Sequence, residues 1–147
     1  MKRQRFRLGS VLRYYEIQKR KAETELHQAT RILELVDEEI VRLERETNDV
    51  SDLMRGPRGR AMSMAGWVAG YAQVEHLGRR IVDARSRRAL QEAAVETLKD
   101  RMKRWAIAEE SLSSMRHAVD LHNHEEAAKA QQVTADEAVL RRWLVGE

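Results

Sequence analysis

Met54-Arg55-Gly56-Pro57-Arg58-Gly59-Arg60 holds the chain's single proline and two of its seven glycines, in 147 residues otherwise short of helix breakers. Proline removes a backbone donor and clashes with the preceding helical turn, so a continuous helix ends here. Ser63 follows as a candidate N-cap for a second helix. The turn is predicted over 55–62, with one helix over about 6–54 and another over about 63–144.

Upstream, apolar residues recur at alternating three- and four-residue steps: Leu8, Leu12, Tyr15, Lys19, Ala22, Leu26, Ala29, Leu33, Val36, Ile40, Leu43, Thr47, Val50 and Met54. Twelve of these fourteen are apolar over more than six heptads, a coiled-coil pattern that no strand produces. Downstream, a weaker seam runs through Trp67, Gly70, Val74, Leu77, Ile81, Ala84, Arg88, Gln91, Val95, Leu98, Met102 and Trp105. Folded about the turn, the seams pair antiparallel. Val50 then faces Trp67, Leu43 faces Val74, Ile40 faces Leu77, Val36 faces Ile81, Leu33 faces Ala84, Ala22 faces Val95, Tyr15 faces Met102 and Leu12 faces Trp105. All eight pairs share one residue-number sum, and its midpoint falls between Arg58 and Gly59. Arg88, on this seam, must extend its guanidinium to solvent. The expected fold is all-α: one coiled-coil domain over 1–147, a long two-helix antiparallel hairpin.

Charge follows the same reflection. Residues 1–21 carry +7, 23–52 carry −7, 55–104 carry +7 and 105–147 carry −4, giving the net +3. The hairpin lays the second block against the third, which favours pairing within one chain. At about 1.5 Å per residue the first helix spans roughly 70 Å and the second roughly 120 Å, so the C-terminal helix overhangs. Past Trp105 the stripe continues through Leu112, Met115 and Val119 after a three-residue step that overwinds the coil. These three are expected to lack a partner in the first helix. Lys2, Arg3, Arg5 and Arg7 are expected near Glu109 and Glu110.

With 42% hydrophobic but 35% charged residues and no cysteine, the chain excludes thiolate chemistry, disulfides and Cys-based zinc sites. His122 and His124 are two apart and point to different helix faces, so no metal is expected. Gly56 to Arg60 lacks the spacing of a phosphate-binding loop. The carboxylates Glu38, Glu39, Glu44 and Glu46 sit on a solvated face with no cleft to perturb them. Neither an enzyme nor a cofactor is expected. Nucleic-acid binding is a rival, because Arg79, Arg80, Arg85, Arg87, Arg88, Arg101, Lys103 and Arg104 form a basic stretch and the pI is 9.4. A generic scaffolding coiled coil is another. With no apolar h-region after the basic N-terminus and no spanning segment, a cytoplasmic protein is expected.

Phe6-Arg7-Leu8, Val11-Leu12-Arg13-Tyr14 and Glu23-Thr24-Glu25-Leu26-His27-Gln28-Ala29 resemble the flagellar FliJ family, the small coiled-coil component of the type III export apparatus, and its injectisome counterparts. Tyr71, Leu77, Ala89-Leu90-Gln91-Glu92-Ala93 and Val95-Glu96-Thr97-Leu98-Lys99 extend the resemblance, which covers most of 5–126. It implies a stalk inserted into a hexameric export ATPase, contacting the ATPase's regulator, the export-gate membrane protein and substrate chaperones. The implied location is the cytoplasmic face of the inner membrane. Trp67 and Tyr71, just after the turn, are then candidate gate-facing residues, and Leu112, Met115 and Val119 candidates for seating in the ring.

Overall fold

A computed structural model describes residue 3, residues 5–56 and residues 63–146. Of the described residues, 94% are helical. The chain forms two long helices, α1 (Gly9–Arg55) and α2 (Met64–Val145), with no strand among the described residues. The fold is the expected all-α helical hairpin. The predicted turn centre, with Pro57, Arg58, Gly59 and Arg60, lies outside the described residues.

The helix ends are set by local chemistry. Leu8 C=O accepts the first bond of α1, from Leu12 N–H at 2.9 Å, so the helix starts three residues later than expected. At the far end Gly56 adopts φ 69°, a left-handed conformation that costs an L side chain, and its N–H donates to Asp52 and Leu53 C=O at 3.2 Å. Ser63 Oγ accepts from Gly66 N–H at 3.1 Å, the N-cap expected of it. That satisfies one of the four donors that every helix start leaves unpaired.

The chain divides into two compact units, Lys21–Met102 and Met1–Arg20 with Lys103–Glu147. In the first, Val36, Ile40, Leu43, Leu77 and Ala84 form the core, with Val50 and Ile81 packed against it. All seven are seam residues. An ion-pair ladder crosses the helices: Arg101 to Glu25, Arg88 to Asp37, Arg87 to Glu39 and Arg85 to Glu44. Numbers rise along α1 as they fall along α2, so the helices run antiparallel.

The register differs from the constant-sum expectation. Gly70, expected opposite Thr47, packs instead against Met54, one heptad further along α1. Gln91, expected opposite Leu26, donates from Nε2 to Ala29 C=O at 3.0 Å. Part of the offset at charged pairs arises because helical side chains lean toward their own N-terminus, which raises the sum at which long antiparallel partners meet. Met54 lying beside Gly70, a whole heptad from expectation, is more than lean alone provides, so the helices themselves are also displaced there. Arg88 reaches outward as expected, to Asp37 and Glu92.

In the second unit Leu12 is buried, and Trp105 packs against Tyr15 and Tyr14 with ring centroids 5.6 and 6.0 Å apart. Lys19 Nζ pairs with Glu109 at 3.0 Å.

Candidate partner-binding site

Trp67 and Tyr71 lie one turn apart on α2, their rings 5.8 Å apart and tilted by 33°. Trp67 is 36% exposed and Tyr71 63%. Val50 belongs to the core margin, whereas Trp67 keeps an open face. Met64 and Val68 are exposed too, and i, i+3, i+4, i+7 spacing puts all four on one side of the helix. This apolar patch, with two aromatics held by mutual stacking, suits a partner's surface because aromatics concentrate interface energy at low entropic cost. Met64 and Val68 were not singled out from sequence, although their spacing from Trp67 and Tyr71 is a readable signal.

In the other unit the stripe is only partly open. Met115 is 52% exposed, but Leu112 and Val119 are half-buried. The residues ahead of α1 run beside this part of α2, where Arg3, Arg5, Phe6 and Arg13 share a groove with Arg116 and Asp120. Arg3 and Arg5 therefore lie lower along α2 than Glu109 and Glu110, and Glu109 is taken by Lys19. The displaced register again accounts for the shift. Lys2 is outside the described residues. The groove gathers four guanidinium groups around one carboxylate, and among the described residues none of the four forms an ion pair. Sequence reasoning missed it. Its signal is that Arg13 and Arg116 have no acidic counterpart under the fold-back.

Half of the basic stretch of α2 is answered by carboxylates of α1. Arg85, Arg87, Arg88 and Arg101 each meet a carboxylate of α1. Arg87's hydrogen bond holds the Glu39 carboxyl below its ordinary 4.5, against a smaller opposing effect of burial. The bond to Asp37 raises Arg88 further above its already basic range. A phosphate backbone would have to displace these carboxylates, which weakens the nucleic-acid reading. Among the described residues no three His, Asp or Glu side chains converge as metal ligands, and no helix is long and apolar enough to cross a membrane.

A sequence model of one protein family, described as Flagellar FliJ protein, matches residues 4–147. No curated protein and no solved structure matches.

Proposed function

The chain belongs to the FliJ family, and from that premise we propose that it is the coiled-coil stalk coupling a hexameric export ATPase to the export gate and escorting substrate chaperones. Membership makes it a flagellar export-related coiled-coil protein. The finer role is supported by one observation in each compact unit: apolar side chains at spacings that share a helix face stay open, Trp67 and Tyr71 in one and Met115 in the other. Trp67 and Tyr71 form the first surface, proposed to meet the export-gate membrane protein. Leu112, Met115 and Val119, beside the arginine groove, form the second, proposed to seat in the ATPase ring and to meet its regulator.

The mechanism is mechanical and the protein itself catalyses nothing. A ring acts on a stalk through side chains that differ around the stalk's circumference, and the second surface has that asymmetry, with an apolar stripe on one side and guanidinium groups beside it. Assembly at the cytoplasmic face of the inner membrane follows from the gate contact.

The test mixes the protein with the cognate ATPase and follows ring formation and hydrolysis. Stimulation by the intact chain, lost in Leu112→Ser/Met115→Ser/Val119→Ser while helicity persists, is expected. Unaltered stimulation by that folded variant would refute the assignment of the coupling surface.

A further inference from the structure

The last two turns of α2 carry the most exposed large apolar side chains among the described residues, Trp143 at 82% and Leu144 at 86%, with Val139, Leu140 and Val145 also open. Val139, Leu140, Trp143 and Leu144 fall at i, i+1, i+4, i+5 and so form one face, with Arg141 and Arg142 to its sides. The nearest carboxylate side chains along the chain are Glu137 and Glu147. α2 stays helical through Val145, without the break that folding back would need.

What covers this face is narrowed by what lies before it. A helix laid along α2, from a second copy or another protein, needs an apolar stripe sustained over three or four heptads. Here Asp136 and Glu137 interrupt the stripe one turn below Leu140, and Glu126 and Lys129 interrupt it again. A long helical partner would bury those charges. The face suits a boundary that accepts only a helix end, takes up a Trp ring at its edge and attracts guanidinium groups. An anionic lipid surface has these properties, since indole sits at the headgroup level and arginine pairs with lipid phosphate. No helix of the described residues can span a bilayer, so the contact is superficial.

We propose that residues 139–145 are a membrane-surface contact. Val139, Leu140, Trp143 and Leu144 enter the headgroup boundary of an anionic leaflet, and Arg141 and Arg142 lie against its phosphates. This is independent of the coupling role, and the same chain can be assayed for each. A two-turn apolar face binds lipid weakly alone and needs the basic pair as a second signal.

The full chain has no cysteine, so Val145→Cys takes a single environment-sensitive fluorophore. Vesicles of phosphatidylglycerol and phosphatidylethanolamine should blue-shift the label, whereas phosphatidylcholine vesicles should not. Sedimentation of the unlabelled chain with the vesicles should agree. Arg141→Gln/Arg142→Gln should weaken binding about 25-fold, from about fivefold per arginine at low salt. Trp143→Ser/Leu144→Ser should abolish it with helicity unchanged, because both side chains are almost wholly exposed. The proposal is overturned by no shift, by equal binding to neutral vesicles, or by binding that survives Trp143→Ser/Leu144→Ser, which would place attachment at the N-terminal arginines. A shift that needs no lipid and grows with protein concentration would also overturn it, in favour of a second copy.

Discussion

Gly70→Ala and Gly78→Ala are the same substitution in one helix, and the structure assigns them opposite signs. In an exposed helix interior, alanine gains about 1 kcal/mol over glycine from lower backbone entropy and better propensity. At Gly78 an added Cβ meets nothing within 4 Å, so the full gain is expected there. At Gly70 the added Cβ would lie 2.8 Å from both Cγ and Sδ of Met54 and 3.3 Å from its Cε. Turning the methionine's flexible end cannot relieve a clash that includes Cγ, and Met54 is itself buried. Overpacking of this kind costs about 2 kcal/mol, which outweighs the propensity gain and leaves a net loss of about 1 kcal/mol. Thermal unfolding followed by circular dichroism reads the contrast directly: about 3 °C down for Gly70→Ala and about 3 °C up for Gly78→Ala. In the double variant Met54→Ala/Gly70→Ala the clash is gone, and a coupling of about 2 kcal/mol should close the cycle. If Gly70→Ala stabilises as much as Gly78→Ala, Met54 does not seat on Gly70 and the displaced register is wrong.

Tyr71→Ala, with a side chain mostly open to solvent, should change stability by less than about 0.5 kcal/mol. It should nevertheless weaken capture of the export-gate protein, and unchanged capture would remove the aromatic patch as its contact. Within the stripe, Met115→Ser should be close to neutral, whereas Leu112→Ser should cost about 1 kcal/mol for its half-buried side chain, as measured by urea denaturation. Equal effects would mean that α1 and its leading residues give Leu112 no cover. Because Arg87 lowers the Glu39 pKa, the unfolded chain binds the proton more readily, so this contribution is present above about 4.5 and is lost as the pH falls below it. Glu39→Gln should therefore narrow the gap in unfolding midpoint between pH 7 and pH 3, and a gap of unchanged width would separate the ion pair from acid stability.

The hairpin was legible because two signals of different origin agreed: a three-four spacing sustained over many heptads, and the only Gly-Pro cluster in the chain. The start of α2 was legible because Ser63 caps by a local rule. Register was less legible, for a physical reason. A heptad seam slid by one repeat against its partner still places apolar opposite apolar, so pattern alone scores neighbouring registers almost equally. The difference is made by side-chain shape, here the hole that Gly70 offers Met54, and by Gln91 finding a main-chain acceptor at Ala29. In sequence those two positions are a glycine and a polar residue in a seam that is otherwise largely apolar. The same slip hid the arginine groove, whose members converge only in the displaced register. Trp67 and Tyr71 were found because nearness to the turn and helical spacing suffice, whereas the groove beside Arg116 depended on where the residues before Gly9 run.

Leu43 is the only large side chain that is fully buried among the described residues. Around it the interior of its unit is about one residue wide, so each layer touches chiefly the layer above and the layer below. Such an interior behaves as a nearly one-dimensional system, in which opening propagates inward from an end and each layer adds its own increment of protection. Amide hydrogen exchange should then be graded along the helices, slowest beside Leu43 and Leu77 and faster toward Ala22 and Met54. A chain built this way can yield locally under load and close again without losing its remaining structure.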